Sequence, residues 1–82
     1  MLTREEVLNR FNLVFRDVFD DETIIVTDAT TADDIEDWES LTHINLILAI
    51  EEEFGIKFTM SEVTLMKNVG EMADIVLEKT GK

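Results

Sequence analysis

The chain has 82 residues, of which 45% are hydrophobic, and this is enough apolar material for one small ordered domain, residues 1–82. Its net charge of −12 argues against nucleic-acid binding, which needs a basic face. The absence of cysteine excludes a disulfide, a thiolate metal site and a cysteine nucleophile. No apolar run is long enough for membrane insertion and no signal peptide is visible, so we expect a cytoplasmic protein. We also expect a monomer.

The first predicted helix covers residues 4–18. Thr3 and Glu6 have the spacing of a capping box, in which the hydroxyl accepts from a backbone N–H and the carboxylate reaches back. Apolar residues then recur at three- and four-residue spacing, as on one face of an amphipathic helix: Val7, Phe11, Val14 and Val18.

Residues 19–39 form a long segment without glycine or proline. Connections of this length are uncommon in a small domain unless they are functional or packed down. Apolar side chains that could anchor this segment are Ile24, Ile25, Val26 and Ile35. We predict an ordered loop, and a short strand at residues 23–27 is the alternative.

The second predicted helix covers residues 40–54 and ends at Gly55, the usual residue for a left-handed cap. At about 100° per residue its apolar side chains fall into two stripes. The wider stripe fits a bundle core and contains Leu46, Ile47, Ile50 and Phe54. The second stripe contains Leu41, Ile44 and Leu48, bordered by Glu51 and Glu52. It either packs under the loop or the third helix, or is an exposed docking surface.

Two further helices complete the chain. A short one is predicted at about 60–66, because Thr59 and Glu62 again have capping spacing, and a longer one at 69–79 follows Asn68. The sequence therefore predicts an all-α bundle of three main helices plus one short helix, with a long ordered loop between helices one and two.

Ser40 lies where the second helix begins, and four chemical roles can be weighed. A hydrolase nucleophile would need His43 as its base, but no oxyanion motif or orienting group accompanies the pair, so we expect no enzyme. The segment DATTADDIED lacks the ligand spacing of a calcium loop, so we expect no metal. Ser40 could be only the N-cap, or a first-turn residue behind an Asp37 cap. It could also accept a phosphate group, which a helix N-terminus favours.

The stretch Glu39-Ser40-Leu41, followed by Ile44, Leu48 and the run Ala49 to Ile56, resembles the acyl carrier protein family over nearly the whole chain. The resemblance implies an acyl-carrier-like bundle in which Ser40 bears 4′-phosphopantetheine, added from coenzyme A by a phosphopantetheinyl transferase that reads the neighbouring Glu39. It further implies that such a protein presents thioesters to acyl-transferring and acyl-modifying enzymes of fatty-acid, polyketide or specialised lipid synthesis. The positions that match partner contacts in the family are Leu41, Ile44, Leu48, Glu51 and Glu52.

Charge distribution adds a physical reason for basic docking patches on the partners. Thirteen of the nineteen acids, and no lysine or arginine, lie between Asp17 and Ile56, so this region steers cations toward it. Glu39 stands where the family usually has aspartate. In having Trp38, the chain resembles carriers of specialised pathways. Alternative functions are a peptidyl (aminoacyl) carrier and an unmodified acidic helical adaptor.

Overall fold

A computed structural model describes residues 2–81, so Met1 and Lys82, the ends of the predicted domain, lie outside it. The described chain contains four α-helices, one 3-10 turn and no strand. The all-α fold class is confirmed. α3 ends one residue before its predicted end, and α4 continues one residue beyond. The elements are α1 (Arg4–Val18), the 3-10 turn (Ala32–Asp34), α2 (Ser40–Phe54), α3 (Met60–Leu65) and α4 (Val69–Thr80).

α1 begins with the predicted capping box. Thr3 Oγ1 accepts from the Glu6 N–H at 3.2 Å, and the Glu6 carboxylate accepts from the Thr3 N–H at 3.2 Å. Two N–H groups at the helix start are thereby paired. The buried face of α1 consists of Val7, Phe11, Val14 and Phe15.

The core lies where α1 packs against α2 and α4. Its largest fully buried side chains come from all three main helices: Val7, Phe11, Phe15, Leu46, Ile50, Val69, Met72 and Val76. Each contributes on the order of 1.5–3 kcal/mol by leaving water. No helix within residues 2–81 has the length and apolar character that a membrane span requires.

The long connection is held to α1 by side chains rather than by strand pairing. The Val26 N–H donates to Asn12 Oδ1 at 2.7 Å, and the Arg16 guanidinium donates to the Ile24 carbonyl at 2.8 Å. Residues 24–27 are irregular, so the alternative of a strand at 23–27 is wrong. The physical reason is that Ile24 and Val26 use polar side chains of α1, and not a second strand, as hydrogen-bond partners.

The same connection is fixed to the N-terminus of α4 by its backbone. The Val69 N–H donates to the Thr30 carbonyl at 2.8 Å, and the Gly70 N–H donates to the Asp28 carbonyl at 2.9 Å. A Cβ at Gly70 would lie 2.8 Å from the Asp28 carbonyl oxygen, so this close approach requires glycine.

Arg4 strengthens this junction from α1. Its guanidinium pairs with Asp28 at 2.7 Å, pairs with Asp74 and donates to the Gly70 carbonyl at 3.0 Å. The hydrogen bonds to Asp28, and next to Asp74, raise the pKa of Arg4 further above its ordinary value. One cation therefore joins α1, the connection and α4.

Candidate functional site

Ser40 is the first helical residue of α2, and the hydrogen bonds of this helix start are made by its neighbours. The N-cap is Glu39, in extended conformation. Its backbone N–H donates to Thr42 Oγ1 at 2.7 Å, and the Thr42 hydroxyl donates to the Asp37 carbonyl at 2.6 Å. Thr42 therefore supplies side-chain hydrogen bonds at the helix start. The alternative of Ser40 as N-cap is wrong, because Glu39 has that position and Ser40 is a first-turn residue. The alternative of a cap by the Asp37 side chain is also wrong, because Asp37 uses its backbone.

This arrangement leaves Ser40 exposed at the protein surface. Within residues 2–81, the helix start makes its capping hydrogen bonds without the Ser40 hydroxyl. The N-terminal end of a helix carries partial positive charge and favours an attached anion. A phosphate ester on this oxygen would therefore sit in a favourable field without breaking a fold contact.

Trp38 anchors the loop immediately before this serine. Its indole is buried and meets the Phe15 ring edge-on at 5.3 Å between centroids, with Phe19 at 6.4 Å. Aromatic pairs in such geometry add to the free energy of burial. Two residues before Ser40, the chain is thus fixed to the core, so the hydroxyl emerges at a defined place.

His43 is half-buried against Trp38. Its ring stacks on Trp38 at 22° with centroids 6.0 Å apart, and its Nδ1 accepts from the Trp38 indole N–H at 3.0 Å. The buried indole draws the imidazole inward because the indole N–H needs an acceptor. Nδ1 is therefore occupied by Trp38 and does not serve as a base for Ser40.

A pocket of about 330 Å³ opens beside Ser40. It is lined by the Trp38–His43 pair and by residues of α3 and the turn that follows it. Its lining residues are Ala32, Trp38, Glu39, Ser40, His43, Val63, Thr64, Met66 and Lys67. A site of this size and mixed lining accommodates a flexible chain attached at the serine.

The two stripes of α2 have opposite environments. Leu46, Ile47 and Ile50 are buried, and Phe54 is half-buried with its ring 5.7 Å from Phe11. The second stripe is exposed: Leu41 by 75%, Ile44 by 57% and Leu48 by 55%. It therefore packs neither under the loop nor under α3, and it forms an apolar strip on the surface.

The two acids at the border of this strip differ. Glu52 is exposed, whereas Glu51 is half-buried and accepts from the Phe58 N–H at 2.7 Å. Glu51 thereby holds the turn that Gly55 begins in left-handed conformation, with φ of 65°. Helical periodicity does not indicate this role of Glu51, because its partner Phe58 lies beyond the helix end. Across residues 2–81, no three acidic or histidine side chains converge to hold a metal ion.

Comparisons with known proteins bear on this site. The family model described as the phosphopantetheine attachment site matches residues 14–76. An acyl carrier protein of Thermosynechococcus vestitus is 29% identical over 79 residues, covering 95% of this chain and 96% of the relative. An acyl carrier protein of Acidothermus cellulolyticus is also 29% identical over 79 residues, with 96% of this chain and 94% of the relative covered. The solution NMR structure of a holo acyl carrier protein from Geobacter metallireducens has a TM-score of 0.87 and 44% identity, covering 92% of this chain and 86% of that one.

Proposed function

The chain belongs to the acyl carrier protein family with its phosphopantetheine attachment site, and from that premise we propose that Ser40 is the residue to which the arm is attached. The protein is a carrier and not an enzyme, and phosphopantetheine is its prosthetic group. The observation that carries the assignment to Ser40 is its hydroxyl, which is exposed at the start of α2 while Thr42 makes the capping hydrogen bonds.

The residues present fit this group. The chain has two serines, Ser40 and Ser61. Only Ser40 follows the long connection, at the start of a 15-residue helix whose N-terminus favours a phosphate. It also borders a pocket able to receive the arm. Glu39 is exposed beside it, and we propose that the transferase reads this carboxylate.

Loading is a phosphoryl transfer that the carrier itself does not catalyse. We propose that Ser40 Oγ forms a bond to the pantetheine-bearing phosphorus of coenzyme A as the phosphoanhydride bond breaks. The nucleotide part leaves with the bonding electrons, and the transferase removes the hydroxyl proton. The arm supplies a thiol that the chain lacks, since the chain has no cysteine, and acyl groups are carried on that thiol as thioesters.

Partner enzymes must approach the side of the protein on which the arm emerges. The protein interacts with a phosphopantetheinyl transferase and with acyl-handling enzymes. We propose that they dock on the apolar strip through basic patches, because an acidic rim favours cationic partners and speeds their encounter. The strip and its rim consist of Leu41, Ile44, Leu48, Glu51 and Glu52, the last being the exposed acid.

We propose fatty-acid, polyketide or specialised lipid synthesis as the setting, with residues 1–82 acting as one cytoplasmic monomeric domain. The named relatives are acyl carriers, and this favours acyl over aminoacyl cargo. An adaptor that works without an arm would leave the free hydroxyl of Ser40 without a purpose.

Loading can be tested by intact-mass measurement after incubation with coenzyme A and a promiscuous phosphopantetheinyl transferase. We expect the mass of one phosphopantetheinyl group to be added, Ser40→Ala to abolish the addition and Ser61→Ala to retain it. An unchanged mass with several transferases, or addition to Ser40→Ala, would overturn the assignment.

Docking can be tested with Leu48→Glu, which places a charge in the strip. We expect slower loading by the transferase with an unchanged circular dichroism spectrum, since Leu48 is 55% exposed. Leu13→Glu is the matched control, because Leu13 is 65% exposed on α1 and outside the strip. Equal loss of loading rate in both variants would contradict docking at the strip.

A further inference from the structure

A phosphodiester at Ser40 would gain from the partial positive charge of the α2 N-terminus, but it would also meet negative charge from its surroundings. It would add negative charge next to Glu39, in a segment from Asp17 to Ile56 that contains no lysine or arginine. The N-terminus of α2 compensates about half an elementary charge, and only over its first turn. A nearby cation from another part of the chain would offset the remainder.

The pocket beside Ser40 brings such a cation to it. Lys67 is the basic residue in the pocket lining, and it comes from the turn between α3 and α4. Its side chain is exposed, and within residues 2–81 its ammonium makes no ion pair. The backbone is held, since the Lys67 N–H donates to the Glu71 carboxylate at 3.2 Å. The ammonium can therefore move within the pocket mouth while its Cα stays in place.

His43 supplies a second donor in the same lining. An indole N–H is a donor only, so the hydrogen bond from Trp38 to Nδ1 requires that Nδ1 be unprotonated. The neutral imidazole then carries its proton on Nε2, which becomes a hydrogen-bond donor. The hydroxyl of Thr64, also in the lining, is already committed to the Met60 carbonyl at 2.8 Å.

We propose that Lys67 is the countercharge of the arm's phosphodiester and that His43 donates its Nε2 proton to the same arm. The arm then rests in the pocket between loading and delivery. This inference rests on the proposed attachment at Ser40. The arm is held weakly in the pocket, because an exposed charge pair changes the population of the held state only about two- to fivefold. A docked partner can therefore withdraw the arm.

The role of Lys67 can be tested on the loaded protein with an isotope-labelled arm, after intact mass has shown complete loading. We expect Lys67→Gln to shift the 31P resonance of the phosphodiester. We also expect it to reduce the fraction of arms held in the pocket about two- to fivefold. NMR relaxation of the arm amides would then report faster motion of the arm. Lys57→Gln is the matched control, since Lys57 is an exposed lysine that lines a different groove. It should leave both signals unchanged.

Identical 31P and relaxation data for Lys67→Gln and the parent protein would overturn the countercharge. Failure of loading itself would be seen earlier, in the intact mass, and would overturn the attachment at Ser40 together with this inference. For His43, we expect loading to shift the imidazole Nε2 resonance while Nδ1 stays in its Trp38-bonded position. An Nε2 resonance that is the same before and after loading would overturn the part assigned to His43.

Discussion

The starts of α2 and α4 serve different purposes. At α4, the first two N–H groups, from Val69 and Gly70, donate to loop carbonyls and are buried. At α2, the corresponding residues are Ser40 and Leu41, and both are exposed. One helix start is used to hold the fold together, and the other is left open to solvent.

This difference shows how a small domain can leave one helix start accessible while another joins its segments. The long connection is anchored near its end by Trp38 against the α1 aromatic rings, and in its middle by Asp28 and Thr30 against α4. The exposed serine follows this anchored connection directly. The Ser40 hydroxyl at the exposed start of α2 can therefore be modified, while the buried start of α4 contributes to stability.

The largest effect on stability is expected at the buried start of α4. Gly70→Ala places a Cβ 2.8 Å from the Asp28 carbonyl oxygen, so the backbone must move. We expect the free energy of unfolding to fall by about 1–3 kcal/mol, the usual cost of overpacking, measured by denaturant titration. Leu41→Ala, at the same position of α2, is the matched control and should stay within about 0.5 kcal/mol of the parent. Equal losses would remove the distinction between the two ends.

A smaller effect on stability is expected from loss of the Thr42 hydroxyl at the start of α2. Thr42→Val removes the acceptor of the Glu39 N–H and the donor to the Asp37 carbonyl, which should cost about 1 kcal/mol of unfolding free energy. Thr42→Ser keeps the hydroxyl and should recover most of this loss. Thr42→Val should still be loaded at Ser40. A parent-like stability of Thr42→Val would mean that another group closes α2.

At the start of α3, the contribution of the helix cap to stability depends on pH. The Thr59 N–H, and next Lys79 at 3.0 Å, lower the pKa of Glu62 below its ordinary 4.5. A lowered pKa means that the charged form contributes stability above pH 4.5 and that this contribution is lost as the pH falls through the lowered value. We expect Glu62→Gln to unfold at a lower temperature than the parent protein at neutral pH. The difference between the two melting temperatures should shrink below pH 4.5. A difference that is independent of pH would contradict the role of the charge.

For this measurement, Glu78→Gln controls for the change in net charge. Glu78 is exposed on α4 and, within residues 2–81, belongs to no ion pair. Its melting difference from the parent should be smaller than that of Glu62→Gln at neutral pH.

The smallest effect on stability is expected at Ser40. Ser40→Ala should change the unfolding free energy by less than about 0.5 kcal/mol, because the exposed hydroxyl takes no part in the capping hydrogen bonds. Thermal and denaturant unfolding would both detect a larger change. A loss above about 1 kcal/mol, the size of a lost cap, would show that the fold uses this hydroxyl.

The sequence predicts the elements of this fold because local signals specify them. The Thr3–Glu6 pair and the apolar spacing of α1 act within a few residues, as does Gly55 at the end of α2. The two stripes of α2 also follow from periodicity, although only the structure shows that the second is exposed. Local patterns thus predict where helices lie and which faces they have.

What the sequence could not predict depends on contacts between distant or irregular segments. Ser40 and Thr42 are both plausible caps by residue type, and the backbone of residues 37–39 selects Thr42. The inward position of His43 depends on where Trp38 is buried. The need for glycine at position 70 arises from a carbonyl 42 residues earlier in the chain, at Asp28.

The most direct test of the account is peptide mapping by tandem mass spectrometry of the protein purified from its native cells. We expect phosphopantetheine on the peptide that contains Ser40, with the fragment ions placing it on the Ser40 oxygen and not on Thr42 or Ser61. An unmodified Ser40 in native material, or an arm on another hydroxyl, would contradict it.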